Sequence, residues 1–221
     1  MRILRYMLVA SGLLALAALP AFADEPATWI LRAGYGAVQP GSNNLTFTDG
    51  IDTVRIDVQN ASSMTLGATY MVNPNWAIDL LASLPFDHDI RASINGDSAR
   101  IGTASQLPPT LSVQYHFSPD ANFSPYVGLG ANWTMFFNEK LVSDMADQGI
   151  DTLKLKDSFG IAGQLGADWA INNNWLVNLD VRYVNIETKA SVDGSAFDGP
   201  TNIGTIKIDP IVYALNLGYR F

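Results

Sequence analysis

Apolar residues along this chain alternate with polar ones. In TLSVQYHF, residues 110–117, Leu111, Val113, Tyr115 and Phe117 fall on one phase, and Thr110, Ser112, Gln114 and His116 on the other. The closing stretch IDPIVYALNLGYRF, 208–221, sets Ile211, Tyr213, Leu215, Leu217, Tyr219 and Phe221 opposite Ala214, Asn216, Gly218 and Arg220. A period of two belongs to a β-strand, whose side chains point alternately to its two faces. Eight such segments follow, at 29–38, 62–72, 76–86, 106–117, 126–138, 154–171, 175–186 and 205–221. Their connections alternate between long (39–61, 87–105, 139–153, 187–204) and short (73–75, 118–125, 172–174). This rhythm predicts an all-β, single-domain, eight-stranded antiparallel up-and-down barrel, with long loops at one end and short turns at the other.

The aromatic residues decide which face of such a barrel meets what. A soluble barrel of the lipocalin kind turns its apolar face inward around a ligand. Here the fully apolar phase carries an aromatic next to the turn end of every segment: Trp29, Tyr70, Trp76, Phe117, Trp169, Trp175 and Phe221, with Phe123 or Tyr126 on the fifth. Rings at one level around a barrel form a membrane-interface girdle. Trp133, Phe137, Phe159 and Tyr183 supply a less regular opposite belt. The apolar face therefore looks at lipid, in a transmembrane barrel with extracellular loops and periplasmic turns.

Composition adds the compartment. Arg2 and Arg5, the apolar run 7–19 and Ala21-Phe22-Ala23 have the form of a secretory signal peptide, expected to occupy 1–23 and leave a mature barrel domain at 24–221. Removing two positive and no negative residues takes the formal net charge from −8 to −10. Such a charge favours neither nucleic acid nor an anionic surface as partner. Beyond that segment no apolar run reaches the roughly 18 residues of a membrane helix. With no cysteine there is no disulfide framework or thiolate site. Export without disulfides fits the envelope of a bacterium and, with the girdle, its outer membrane. The apolar terminal strand ending in Phe221 has the form of the signal read by the barrel-assembly machinery.

The inward phase divides into two layers. Near the turn end it carries Arg32, Asp79, Gln114, His116 and Gln164, then Asp168, Asn178, Asp180, Arg182 and Arg220. Such a floor closes by ion pairing, because an eight-stranded interior is barely wide enough for side chains. Higher up lie Leu81, Pro85, Pro108 and Phe136, then Val184, Ile186, Ile206, Ile208, Pro210 and Val212. An apolar layer open to the loops suits an apolar solute, and the closed floor directs its exit sideways. Pro85, Pro108, Pro109 and Pro210 remove ladder hydrogen bonds in the third, fourth and eighth segments, where they either weaken a seam or merely mark bends near the rim.

LLASLPFDHDI (80–90), LPPTLSVQYHF (107–117), SPYVGLGANWTMFF (124–137), LKDSFGIAGQLGADWAINNNWLVNLDVRYVNIET (155–188) and KIDPIVYALNLGYRF (207–221) resemble the OmpW family of small outer-membrane proteins. The first long loop and residues 191–204 carry no motif of that family. The resemblance implies passage of small, mainly hydrophobic molecules across the outer membrane. The alternative is a structural or adhesive barrel with a packed lumen and surface-binding loops.

Other constellations carry less. Asp87-His88-Asp89 places a ring between two carboxylates that favour its protonated form; one His with flanking Asp lacks the spacing of a metal site, and a solvated charge cluster is expected. His116 is expected to partner Asp79 or Asp168. With His88 and His116 the only histidines, no catalytic pair of nucleophile and base is assigned, and no metal or cofactor. In NEKLVSDMADQG, 138–149, Leu141, Val142 and Met145 stand at helical spacing before Gly149, predicting a short helix in the third loop.

Overall fold

The computed structural model describes residues 28–49 and 52–221; the expected signal peptide lies outside the described residues. Among the described residues, fifteen strands and one short helix follow in chain order. They are β1 (Thr28–Gln39), β2 (Leu45–Asp49), β3 (Asp52–Val58), β4 (Ala61–Met71), β5 (Trp76–Ser83), β6 (Phe86–Ile94), β7 (Asp97–Leu107) and β8 (Thr110–His116). After them come β9 (Phe123–Leu141), α1 (Ser143–Asp147), β10 (Thr152–Leu155), β11 (Ser158–Ala170), β12 (Trp175–Val184), β13 (Glu187–Asp193), β14 (Thr201–Lys207) and β15 (Ile211–Arg220).

Eight of these strands close into an antiparallel barrel in the order β1, β4, β5, β8, β9, β11, β12 and β15, with β15 returning to β1. The predicted segments map onto this ring, except that 154–171 and 205–221 each run across two strands, β10 with β11 and β14 with β15, of which only β11 and β15 belong to the ring. The long connections differ from plain loops, because they are largely hairpins that carry the wall outward. β2, β3, β6 and β7 form one continuation against the upper part of β9, and β10, β13 and β14 form a second. The helix α1 is shorter than its sequence pattern suggested: Leu141 still belongs to β9, and Val142 caps the helix. Gly149 follows it at φ +78, a left-handed backbone that glycine adopts without steric cost.

Two of the short turns are built alike. Asn73 Oδ1 accepts from the backbone N–H groups of Asn75 (2.9 Å) and Trp76 (2.8 Å), and Asn172 Oδ1 from those of Asn174 (3.0 Å) and Trp175 (2.9 Å). These are Asx turns, in which the side chain replaces a backbone partner. The last Asn of each turn then holds the end of the next strand over: Asn75 Nδ2 donates to His116 O and Asn174 Nδ2 to Arg220 O. This stitching fixes the height of the tryptophans that follow, Trp76 and Trp175.

The girdle runs round the ring as four cross-strand pairs. Cross-strand registers place Trp29 against Tyr70, Trp76 against Tyr115, Phe123 against Trp169 and Trp175 against Tyr219, with ring centroids 4.9–6.2 Å apart. Of the two candidates on the fifth segment, Phe123 faces out and Tyr126 is buried inside. At mid-height Leu129, Leu165, Leu179 and Leu215 are exposed, while Arg32, Asp79 and Asp168 are buried in the interior. An apolar outside and a charged inside exclude a soluble lipocalin-like arrangement. In the opposite belt Trp133, Phe159 and Tyr183 are exposed and Phe137 is half-buried.

Depth sets the cost of a charge on the lipid face. Leu165, 63% exposed and midway along β11, is expected to lose about 2–4 kcal/mol of folding free energy in lipid vesicles as Leu165→Arg. Phe159→Arg, at the outer belt, is expected to lose about 0–1 kcal/mol. Urea titrations giving equal losses, or the reverse order, would contradict this placement of the membrane.

Candidate functional site: a charged floor beneath an apolar chamber

The floor is built from inward positions of strands all round the ring. Arg32 on β1 donates from Nη2 to Asp168 Oδ2 of β11 at 2.7 Å and bonds Thr69 of β4 through Nη1, which lies 3.5 Å from Asp79 Oδ1 of β5. Arg182 of β12 reaches Asp79 Oδ2 with Nη2 (3.2 Å) and Asp180 Oδ1 with Nε (3.3 Å). Asp79 thus joins the two guanidinium groups across the lumen. Neutral groups take up the remaining carboxylate oxygens. Tyr126 O–H donates to Asp180 Oδ2 at 2.8 Å, and Asn178 Nδ2 donates to Asp168 Oδ1 at 2.8 Å and to the Tyr126 oxygen at 3.0 Å. Asn216 Nδ2 donates to Asn178 Oδ1, and Thr65 O–H to Asn216 Oδ1. Gly166 permits this arrangement, since a Cβ there would overlap the Tyr126 ring. Two buried arginines face three buried aspartates, so the set carries one net negative charge.

The expected floor residues are buried together, except that Arg220 is only half-buried. It lines a cavity of ≈190 Å³ at the turn end with Ile30, Met71, Asn73, His116 and Ser124. The expected pairing of His116 with an aspartate is corrected. Its ring stacks on Tyr126 at 4.9 Å and its nitrogens meet Gln114 Oε1 (3.1 Å) and Ser124 Oγ (3.4 Å), because Arg32 and Asn178 already occupy Asp168. Gln164 is buried with neither amide atom partnered among the described residues.

Above the floor, Val38, Phe86, Ile90, Phe136, Val184, Ile186, Ile206, Ile208 and Val212 form one apolar cluster, extended upward by Val54, Ile56 and Val192. Two cavities of ≈20 Å³ each run through it. The lower is lined by Leu81, Ser83, Phe86, Gln106, Pro108 and Arg182, among others; the upper by His88, Ile90, Gln106, Phe136, Ile206 and Ile208, among others. Val184, Val212 and the buried Pro210 also line the lower one.

Pro85 does not belong to this wall: it is exposed, and Phe86 takes the inward position. The reason is a change of phase. β5 ends at Ser83 and β6 begins at Phe86, so the two-residue count that places Asp79, Leu81 and Ser83 inward cannot be carried across the proline. His88 is corrected by the same step. It is buried, whereas Asp87 and Asp89 point outward, and its Nδ1 lies 2.6 Å from Gln59 O. A solvated Asp-His-Asp cluster therefore does not exist, and burial pushes the ring's pKa below its ordinary 6.5 against the weaker raising effects of the Gln59 carbonyl and Asp87.

The prolines mark a break in the wall. The β5–β8 ladder ends at Leu81–Thr110 and the β6–β7 ladder starts at Phe86–Gln106. Residues 82–85 and 107–109 have no pair between them; each is held on its other side, by the pairs Ala82–Leu66, Ser83–Thr65 and Leu107–Met135 and by Leu84 N–H on Met64 O and Trp133 N–H on Pro109 O. The lower cavity lies directly behind. At Pro210, by contrast, the ladder is bridged: Val184 N–H donates to Pro210 O, and Asp209 Oδ1 accepts from Ile186 N–H and Asn185 Nδ2.

A girdled, lipid-facing barrel with extracellular hairpins, periplasmic turns and a charged lumen is a multi-pass protein of the bacterial outer membrane. The model of the OmpW family matches residues 26–221, and the chain belongs to that family. It is 38% identical over 204 residues to Outer membrane protein W of Escherichia coli (strain K12), covering 91% of this chain and 92% of that one. The crystal structure of the outer membrane protein OprG from Pseudomonas aeruginosa matches with TM-score 0.80 and 36% identity over 88% of this chain and 95% of that one. The dibenzothiophene metabolism operon protein PahQ of Pseudomonas aeruginosa is 22% identical over 205 residues, 91% of this chain and 92% of that one.

Removing one partner of a buried ion pair leaves the other charge uncompensated, at a cost of about 3–5 kcal/mol. Arg32→Ala, which strands Asp168, is expected to lose that much in urea titrations of the refolded barrel; a loss below about 1 kcal/mol would contradict the geometry of the floor. His88 gives a pH effect of known sign. Its folded pKa is depressed, so its contribution is complete above the unfolded value near 6.5 and is lost as pH falls toward the folded value. Hydrogen-exchange protection of the β3–β6 pairs, corrected for intrinsic pH dependence, is expected to drop between pH 7.5 and 5.5, and not to drop in His88→Gln.

Proposed function

We propose that this barrel passes small hydrophobic molecules from the cell exterior through the apolar chamber and sideways into the bilayer, between β5 and β8. The observation that carries this reading is the unpaired stretch between Leu81–Thr110 and Phe86–Gln106, with an apolar-walled cavity behind it and an ion-paired floor below. A solute that has shed its water in the chamber would have to rehydrate among five charges to leave downward, which costs far more than entering lipid. The occurrence of a relative named for a dibenzothiophene metabolism operon agrees with an apolar aromatic cargo. The cavities are small, so passage requires the wall at residues 82–85 and 107–109 to move apart. No ladder pair joins these two segments directly, and the pairs Leu81–Thr110 and Phe86–Gln106 bound the opening at its two ends.

Catalysis is not part of this reading. The His116 ring is partnered by Gln114 and Ser124, with no carboxylate bonded to it to orient a base. The partners proposed are the hydrophobic solute, the surrounding lipid, and the assembly machinery that would read β15 and Phe221. The close packing of the chamber is what favours the rival, a purely structural barrel.

Uptake of a radiolabelled alkane by cells with and without the protein separates the two. Phe136→Asn or Ile208→Asn, which put an amide in the chamber wall, are expected to lower uptake several-fold while the barrel stays folded and heat-modifiable. The double change Arg32→Ala with Asp79→Ala is expected to leave alkane uptake near the parent level, with any new ion conductance arising from the loosened floor. Uptake that rises with the floor opened and ignores the chamber changes would establish an axial pore, and no uptake above control cells would leave the structural barrel.

A further inference from the structure

The chamber is walled mainly by apolar side chains, and a few polar ones stand among them. Phe86, Gln106 and Phe136 lie side by side in register across β6, β7 and β9, all facing inward. Gln106 is 1% exposed, and neither its Oε1 nor its Nε2 has a hydrogen-bond partner among the described residues. It is also the residue shared by the two cavities, standing between the lower one and the upper one. A leucine would fill this position without orphaning two polar atoms.

The other unpartnered groups of the chamber point to the same place. Ser83 Oγ and Arg182 Nη1 line the lower cavity, and His88 Nε2 lines the upper. Because His88 Nδ1 meets a carbonyl oxygen, it carries the proton, and Nε2 is left as an acceptor. The lower cavity therefore offers mainly donors and the upper one an acceptor, with a rotatable amide between them.

We infer that Gln106 selects, among small hydrophobic molecules, those that carry one uncharged oxygen function: a ketone, an ester or an alcohol on an alkyl or aromatic skeleton. This rests on the reading of the chamber as the path. Any molecule moving from the upper to the lower cavity must pass the Gln106 amide. A pure hydrocarbon leaves that amide unpaired, whereas a carbonyl accepts from Nε2 and then from Ser83 or Arg182 as it descends. A hydroxyl can in addition donate to Oε1 or to His88 Nε2. Charge sets the other boundary. Arg182 already holds two carboxylates, and the floor beneath it is net negative, so a carboxylate is repelled where a neutral oxygen is accepted. The apolar remainder of the molecule is taken up by Ile90, Ile206, Ile208 and the two phenyl rings.

The test compares uptake of radiolabelled octane, octan-2-one and octanoate, at equal thermodynamic activity, by cells carrying the full chain, the Gln106→Leu or Gln106→Met variant, or no such barrel. Heat-modifiability on gels reports folding, and Gln106→Met keeps the side-chain length should Gln106→Leu fail to assemble. The parent is expected to favour the ketone over the alkane, and the variants to reduce that preference on the order of tenfold. In lipid nanodiscs, the side-chain amide resonance of Gln106 is expected to shift on titration with octan-2-one and not with octane. A preference unchanged in both variants, with both neutral solutes still passing, overturns the role of Gln106 and leaves the passage intact. Octanoate carried better than the ketone overturns the assignment of an uncharged oxygen. If no solute enters faster than in control cells, the passage itself fails and the selectivity falls with it.

Discussion

An eight-stranded barrel has an interior only as wide as the side chains that fill it, so whatever the inward positions of its lower half carry must be satisfied there. In this chain they carry two arginines and three aspartates, and the bridge from Arg32 and Arg182 to the single carboxylate of Asp79 ties opposite walls together. Tyr126, Asn178 and Thr69 donate to the carboxylates of Asp180, Asp168 and Asp79, and Asn216 and Thr65 in turn hold Asn178 in place. Such a network adds little net stability over apolar packing, but it is costly to open, because every separated charge would be left in a low-dielectric interior. The floor thereby fills the lower lumen with paired charge, and the apolar chamber stands directly above it.

Above the floor the ladder is interrupted where the sequence places prolines on two neighbouring strands. Pro85 ends one strand and Pro108–Pro109 another, and between them the ladder lacks the pairs that would zip β5–β8 to β6–β7. At Pro210 the same chemistry gives no such gap, since the Asp209 carboxylate and the Pro210 carbonyl take over the missing bonds. A proline is thus a seam only where no neighbour bridges it. Here the unbridged stretch stands in front of the lower cavity, at the height of Trp133 in the outer belt.

Much of this was legible in the sequence because strand alternation is strict wherever one face meets lipid. The ring of eight strands, the girdle from Trp29 to Phe221 and the residues of the floor all follow from counting by two. The count fails where the chain interrupts it. Carried across Pro85, it places the proline inward in place of Phe86, and it leaves His88 between solvated carboxylates although the restarted strand buries it. The long connections read as loops because their alternation is weakened by polar and glycine residues, such as Gly96 at the β6–β7 hairpin, with φ +98. Partners across the lumen were the least accessible. That His116 pairs with Gln114 and Ser124 depends on Asp168 being taken by Arg32, which no spacing along the chain expresses.

The lateral seam is the central claim, and the absence of cysteine from the chain makes it directly testable. Continuing the β5–β8 register one step beyond Leu81–Thr110 places residue 82 opposite residue 109. Cysteines introduced as Ala82→Cys and Pro109→Cys can be joined by a disulfide or a short bifunctional methanethiosulfonate and released by a reductant. Uptake of a hydrophobic solute is expected to fall to that of cells lacking the barrel when the bridge is closed, and to return when it is reduced. Uptake unaffected by a bridge shown to be complete would mean that the solute never leaves between these strands, and would contradict the account.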